Sequence, residues 1–141
     1  MKAVYATGTN YDDPLSVLEV GTMPEPETKP FWSTIRVNSA SVNHHDVWSL
    51  QGVGLSDEQT PMILGTDAAG VLEEDIPVRK GLKAGSEVVL YTFVGTDGAG
   101  VMPGERRSIL SERYAGTMAE YTQVPSANVF AKPANLNLDE A

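Results

Sequence analysis

The sequence contains no cysteine among its 141 residues. This absence excludes disulfide bonds, a cysteine nucleophile and thiolate ligands for a metal ion. Folding does not require them, because a domain of this length buries roughly 70% of the surface that its unfolded chain exposes. Histidine is nearly absent too, and the two in the chain, His44 and His45, are adjacent. The composition therefore predicts one globular domain that needs no structural metal for its stability.

The sequence also lacks long apolar runs and an excess of positive charge. No run approaches the ~20 residues that a membrane-spanning helix requires, and the N-terminus has no signal-peptide hydrophobic stretch. Asp and Glu number 19 against 10 Lys and Arg, giving a net charge of -9, whereas nucleic-acid phosphates demand a basic face. We therefore expect a cytoplasmic protein without membrane or nucleic-acid partners.

What the sequence does contain is a series of short segments rich in β-branched and aromatic residues, bounded by Gly, Pro, Asn or Asp. They cover residues 2–7, 16–23, 33–42, 68–74, 85–94, 119–124 and 128–132. In 33–42 apolar and polar residues alternate, which predicts a strand with one buried face. Residues 88–94, "VVLYTFV", are almost continuously apolar, which predicts a central strand covered on both faces. Together these segments predict a mainly β fold.

A short helix is predicted in residues 44–52, "HHDVWSLQG". Apolar residues there are spaced i and i+3, and Gly52 suits the end of a helix. Asn43 then lies near the N-cap, where its amide oxygen can accept a backbone N–H. The helix would therefore present both histidines in its first turn.

Residues 95–116 form a long connection between two strand segments. Long loops without secondary structure are usually functional or mobile, so we expect mobility here. The glycines of "GTDGAG" do not make a dinucleotide-binding loop, because the required helix and acidic residue do not follow them. The final residues, "ANLNLDEA", could open a helix at Asn137 or Asp139 and are typical of a domain boundary.

Five segments carry a family resemblance: "MKAVYATG" at 1–8, "PEPETKPFWSTIRVNSASVNHHDVW" at 24–48, "PMILGTDAAGVLEE" at 61–74, "GLKAGSEVVLY" at 81–91 and "GTMAEYTQVPSANVFAKPANLNLDEA" at 116–141. In this order and at this spacing they resemble the N-terminal, GroES-like catalytic domain of the medium-chain dehydrogenase/reductase superfamily. That superfamily includes zinc alcohol dehydrogenases and quinone oxidoreductases. The resemblance covers nearly all of residues 1–141. It implies a partly open β-barrel with a few short helices, and a C-terminal Rossmann domain for NAD(P)H that is absent from this sequence.

The resemblance also locates the positions of the family's zinc ligands. Zinc members take one ligand from a Cys at the position of Asn43 and a second from a His at the position of Thr66. The four cysteines of their structural zinc site fall within residues 95–116. None of these ligands is present here. Adjacent side chains such as those of His44 and His45 diverge, so they rarely share one ion. Zinc is therefore not expected, although "NHHDVWSLQGVG" resembles subgroups that retain it.

Asn43 followed downstream by "LGTDAAG" is similar to the quinone-oxidoreductase pattern. The resemblance implies the substrate domain of a zinc-independent, NAD(P)H-dependent oxidoreductase for a small carbonyl or alkene, inactive without its cofactor domain. Asn43 would donate an N–H to a substrate oxygen or to the nicotinamide ribose, and His45 would deliver a proton. Asp46 aligns with an acid that orients its neighbours, and it equally suits a stabilising carboxylate in the first helical turn.

Four residues are candidates for substrate contacts, namely His44, Trp48, Thr66 and Asp67. Trp48 also suits a core or interface aromatic, and Asp67 also suits a group that bonds the backbone of its own turn. The alternative function is a stand-alone module that binds a small ligand or a partner without catalysis. A domain of this kind exposes the apolar face that meets its Rossmann partner, so we expect a homo-oligomer or self-association.

Overall fold

The computed structural model describes residues 1–77, 81–95 and 106–141. Ten strands and one α-helix lie in these ranges: β1 (Lys2–Ala6), β2 (Leu18–Thr22), β3 (Trp32–Ala40), α1 (His44–Leu50), β4 (Met62–Ile63), β5 (Ala68–Leu72), β6 (Glu87–Leu90), β7 (Phe93–Val94), β8 (Ser108–Ile109), β9 (Tyr121–Pro125) and β10 (Val129–Ala131). Short 3-10 helices at Pro14–Val17, Asp57–Gln59 and Ser126–Asn128 connect some of them. The prediction of a mainly β fold is confirmed.

The strands form three antiparallel sheets. β2, β1 and β4 make the first, β10, β6, β5, β3 and β9 make the central one in that order, and β7 pairs with β8. The backbone N–H of Val4 donates to the carbonyl of Met118 at 2.8 Å, and that of Leu64 donates to Val4 at 3.0 Å. The first bond connects the first sheet to the segment that precedes β9, and the second extends the pairing of β1 with β4. Among the described strands the sheets stay open, which agrees with the expected partly open barrel.

β3 is the strand that leads into the predicted site, and its residues alternate as predicted. Ile35 is 1% exposed, whereas Arg36 is exposed and pairs with Glu73 at 3.2 Å. β3 has β5 on one side and β9 on the other. A Cβ at Gly70 of β5 would lie 2.3 Å from the carbonyl oxygen of Arg36, so only glycine permits this close approach of the two strands.

Residues 88–94 do not form the single central strand that was predicted. β6 ends at Leu90, and the side chains of Tyr91 and Phe93 are 44% and 45% exposed. The amide of Asn128 donates to the carbonyl oxygens of Tyr91 and Phe93, both at 2.8 Å. Because a buried side chain satisfies these carbonyls in place of a neighbouring strand, the run leaves the central sheet and its aromatic residues stay partly exposed.

Two apolar clusters form the core. The larger one draws on all five strands of the central sheet and contains Trp32, Ile35, Leu72, Ile76, Leu82, Val88, Val94, Leu110, Val124 and Val129. The smaller one joins α1 to β1 and β4 and contains Ala6, Leu50, Leu55, Met62 and Leu64. Burial of a leucine side chain contributes roughly 2 kcal/mol, so Leu50 fixes α1 against the first sheet.

The short helix predicted in residues 44–52 is confirmed as α1. Gly52 follows it with a φ of 89°, a left-handed conformation that glycine adopts without steric strain. Near the end of the chain, the side-chain oxygen of Asn137 accepts the N–H groups of Asp139 and Glu140 at 2.9 and 3.0 Å. This arrangement makes a single turn and not a helix.

The long connection predicted at residues 95–116 is only partly described. The predicted mobility falls mainly on residues 96–105, which lie outside the described residues. The part from residue 106 onward contains β8 and a tight turn at Ser111, whose φ is 71°. None of the helices in the described part of the chain has the length and apolar character that crossing a membrane requires.

Candidate functional site

Asn43 and Thr66, which come from distant parts of the sequence, lie side by side. Asn43 precedes α1, and Thr66 lies in the turn between β4 and β5. The Nδ2 atom of Asn43 is 3.2 Å from Oγ1 of Thr66 and 3.1 Å from Oδ2 of Asp67. The hydroxyl of Ser41 is a third acceptor at 3.3 Å. We call Ser41, Asn43, Thr66 and Asp67 the amide cluster.

Asp67 holds the amide cluster together. Its Oδ1 accepts the hydroxyl of Ser41 at 2.6 Å and the backbone N–H of Ser41 at 3.3 Å, while its Oδ2 accepts the amide of Asn43. Its backbone carbonyl accepts the hydroxyl of Thr117 at 2.9 Å. The half-buried carboxylate therefore orders the end of β3 and the start of α1.

Asp46 lies under the amide cluster and is 4% exposed. One carboxylate oxygen accepts the backbone N–H of Asn43 at 2.7 Å, and the other accepts the backbone N–H of Gly65 at 2.9 Å. Gly65 has a φ of 94°, and a Cβ there would lie 2.5 Å from the hydroxyl oxygen of Thr117. Asp46 thus joins the N-terminus of α1 to the β4–β5 turn, which favours an orienting function over direct substrate contact.

The ring of His45 points to a different set of partners from the amide cluster. Its Nε2 is 3.2 Å from Oε1 of Glu112, and its Nδ1 is 3.5 Å from the hydroxyl of Ser49. The side chains of His45 and Glu112 are 18% and 27% exposed. Sequence reasoning missed Glu112, because it lies 67 positions away and no local spacing connects it to the helix.

His44 and Trp48 form the exposed edge of the same helix. Their ring centroids are 4.9 Å apart with an interplanar angle of 52°. Trp48 is 48% exposed, which excludes a core position, whereas an interface position and a substrate contact both stay predictions. The pair therefore offers an aromatic surface beside the polar residues, and its predicted contact with substrate stays a prediction.

A recess of about 390 Å³ begins beside Asp67. It runs between the ends of β3, β5 and β6 and the final residues of the chain, and its lining includes Ser41, Asp67, Ala69, Leu90 and Leu138. The hydroxyl of Ser39 donates to the carboxylate of Asp139, so the end of the chain covers one side of this recess. The amide cluster therefore adjoins a space large enough for a small organic molecule.

Residues 29–134 match the family of the alcohol dehydrogenase GroES-like domain. The chain belongs to this family. The match covers the amide cluster, α1 and Glu112, so the geometry described above lies within the GroES-like domain. A comparison with curated proteins gave no match.

Solved structures of oxidoreductases resemble this GroES-like domain. An NAD-dependent alcohol dehydrogenase is 36% identical with a TM-score of 0.79, and the alignment covers 98% of this chain and 41% of that one. A cobalt- and zinc-bound thermostable alcohol dehydrogenase from Pyrobaculum aerophilum is 28% identical, with a TM-score of 0.77 and coverage of 99% and 42%. A quinone oxidoreductase from Coxiella burnetii, 22% identical with a TM-score of 0.74 and coverage of 100% and 39%, shows likeness of fold alone. The chain thus spans about two fifths of the length of these proteins.

Proposed function

We propose that this GroES-like domain is the substrate-binding part of a zinc-independent, NAD(P)H-dependent oxidoreductase that reduces a small carbonyl or alkene. The observation that carries the proposal is the pairing of Asn43 with Thr66 at 3.2 Å. The two positions at which zinc members of the family hold ligands are occupied here by an amide and a hydroxyl, and they bond to each other. The isolated domain would be inactive, because the hydride donor binds to a further domain.

The donor set of the amide cluster does not fit zinc. Zinc in proteins prefers thiolate, imidazole and carboxylate ligands converging on one point. Asn43 directs its Nδ2, a hydrogen-bond donor, toward the oxygens of Ser41, Thr66 and Asp67. Within residues 1–77, 81–95 and 106–141 no group of three His, Asp or Glu side chains could hold a metal ion. The proposal therefore assigns no step to a metal.

The amide of Asn43 could bond to a substrate by exchanging one of its present acceptors. Its two N–H bonds face three acceptors, of which the hydroxyl of Ser41 is the most distant at 3.3 Å. A carbonyl oxygen of the substrate would replace one of these acceptors and leave the others in place. NAD(P)H, when bound by the second domain, would supply the hydride. His45 would supply the proton in its protonated form and through an intervening hydroxyl or water, because its two ring nitrogens bond to Glu112 and Ser49 and do not face the amide cluster.

A second candidate function is a ligand-binding module without catalysis. The recess of about 390 Å³ beside Asp67 favours it, since this space is large enough for a small organic molecule. The nucleotide sequence downstream of the codon for Ala141 separates the two candidates. A reading frame that continues into a strand, a Gly-rich turn and a helix supports the oxidoreductase. A stop codon at that point supports the module and contradicts the enzyme.

Removal of metal is expected to leave the protein unchanged. Protein purified without an affinity-tag metal should contain far less than one equivalent of zinc by elemental analysis, and EDTA should not alter its thermal unfolding or the turnover of the complete enzyme. The matched comparison is Asn43→Cys combined with Thr66→His, which restores two family ligands and should increase zinc binding. One equivalent of tightly bound zinc in the wild type would contradict zinc independence.

Replacing Asn43 with alanine in the complete enzyme is expected to lower kcat/KM about tenfold, because the transition state would lose one hydrogen bond to the reacting oxygen. The free energy of unfolding should fall by about 1 kcal/mol as well, because alanine removes the bonds from the amide of Asn43 to Thr66 and Asp67. Steady-state kinetics and thermal unfolding measure the two effects. Asn135→Ala, which removes an exposed amide outside the site, is the control. Wild-type kinetics in Asn43→Ala would remove Asn43 from the proposed site.

A further inference from the structure

We propose that Glu112 is the positioning residue for His45 and fixes both the orientation and the tautomer of its imidazole ring. The inference rests on the proposed function of His45, but the contacts that carry it are separate from the amide cluster. Oε1 of Glu112 is 3.2 Å from Nε2 of His45. An ionised carboxylate can only accept hydrogen bonds, so the proton of the neutral imidazole lies on Nε2.

The second nitrogen of the ring agrees with this tautomer. When Nε2 carries the proton, Nδ1 holds a lone pair and accepts a hydrogen bond. The hydroxyl of Ser49 lies 3.5 Å from Nδ1 and can donate to it. Ser49 is 0% exposed and sits one helical turn after His45, so its position is set by α1 itself. The ring is therefore held at both nitrogens.

Glu112 is anchored by residues from two other segments. Its Oε2 accepts the hydroxyl of Ser108 at 3.2 Å, and its backbone carbonyl accepts the side-chain amide of Gln59 at 2.9 Å. The amide oxygen of Gln59 in turn accepts the backbone N–H of Ser56 at 2.9 Å. A group that orients a reacting side chain needs such support, because small displacements of the group reduce the rate.

Gly54 provides the space that the carboxylate of Glu112 occupies. Its φ is 80°, and a Cβ at this position would lie 2.3 Å from Oε1 of Glu112 and 2.8 Å from Cδ. A side chain at position 54 would therefore push the carboxylate away from His45. Gly54 and Ser108 thus border one carboxylate whose partner is the predicted proton donor, and Gln59 holds the backbone of the same residue.

Nuclear magnetic resonance of the 141-residue chain tests the proposal without any enzymatic activity. The chain has two histidines, so labelling histidine with ¹⁵N gives two imidazole spin systems, and His44 is the internal reference. At about pH 8.5, above the ordinary pKa of histidine, two-bond ¹H–¹⁵N correlations identify the protonated nitrogen. We expect a single Nε2–H tautomer for His45 in the wild type and a mixture of both tautomers in Glu112→Ala.

Two further variants complete this experiment. Glu58→Ala removes an exposed carboxylate from the neighbouring 3-10 helix and should leave the spectrum of His45 unchanged. If Glu112→Ala does not fold, Glu112→Gln keeps the shape of the side chain, and its amide can donate or accept, so a mixture of tautomers is again expected. A His45 that keeps the Nε2–H tautomer alone in the folded Glu112 variant overturns the proposal.

Kinetics of the complete enzyme separate this proposal from the proposed function. Glu112→Gln should lower kcat about tenfold with KM within about twofold, and Glu112→Asp should recover part of the loss. If His45→Ala lowers kcat and Glu112→Gln does not, the positioning proposal fails alone. If the tautomer of His45 responds to Glu112 while neither variant changes kcat, the orientation of the ring by Glu112 is supported and the proposed function fails.

Discussion

Replacing His45 with alanine is expected to lower kcat of the complete enzyme about 100-fold. A positioned general acid typically contributes a factor of 10² to 10⁴, so the lower end of that range is a conservative expectation. The ring is 18% exposed and is bonded to Glu112 and Ser49, which fixes it without removing it from solvent. Steady-state reduction of a quinone or enone with NAD(P)H measures the loss.

His45→Gln separates proton transfer from packing. Glutamine fills similar space and can still bond to the carboxylate of Glu112, but it cannot exchange a proton at neutral pH. It should therefore lose as much turnover as His45→Ala and show thermal unfolding closer to that of the wild type. Wild-type kcat in His45→Gln would exclude His45 as the proton donor.

Replacing Asp46 with alanine is expected to lower the free energy of unfolding of the 141-residue chain by about 3 kcal/mol. Hydrogen bonds to a charged group contribute roughly 1.5–3 kcal/mol each, and Asp46 accepts two from backbone N–H groups while being 4% exposed. Alanine would leave the N–H groups of Asn43 and Gly65 without this acceptor. Urea unfolding followed by tryptophan fluorescence gives the difference directly.

Two control variants test whether the loss of stability in Asp46→Ala comes from the hydrogen bonds of its carboxylate. Asp12→Ala removes an exposed carboxylate and changes the net charge equally, so it should alter the free energy of unfolding by less than about 0.5 kcal/mol. Asp46→Asn keeps one acceptor oxygen and should give an intermediate loss. An Asp46→Ala protein as stable as Asp12→Ala would show that the link between α1 and the β4–β5 turn is unimportant.

Strands were predicted correctly where the local pattern of apolar and polar residues matches the side chains that the fold buries and exposes. Residues 33–42 alternate between apolar and polar, and the resulting strand β3 buries Ile35 while exposing Arg36. Residues 88–94 were predicted wrongly because their apolar character says nothing about which groups pair with their backbone. The side-chain amide of Asn128, which is distant in the sequence, donates to the carbonyl oxygens of Tyr91 and Phe93, and the strand ends before them.

The candidate site was only partly predictable as well, because contacts between residues far apart in the sequence leave no signal in the local pattern. The resemblance to a known family indicated Asn43 and Thr66 as a pair, and the two side chains are in contact at 3.2 Å. Nothing in the local sequence distinguishes Glu112 from the other acids of its loop, because its importance arises from its distance to His45. Self-association of the chain and the substrate contacts of His44 and Trp48 stay predictions.

The mainly β fold, the short helix after Asn43 and the lack of a thiolate for a metal ion all follow from the amino-acid sequence alone. Turn residues, β-branched segments and the absence of cysteine are local properties, so they can be recognised without knowing which distant residues are in contact. In contrast, the bonds of Asp46 to the backbone of Gly65 and of Glu112 to His45 became visible only in the folded chain. A hydrogen bond requires two groups within about 3.5 Å, and for residues far apart in the chain that distance is set by the packing of the sheets and the helix.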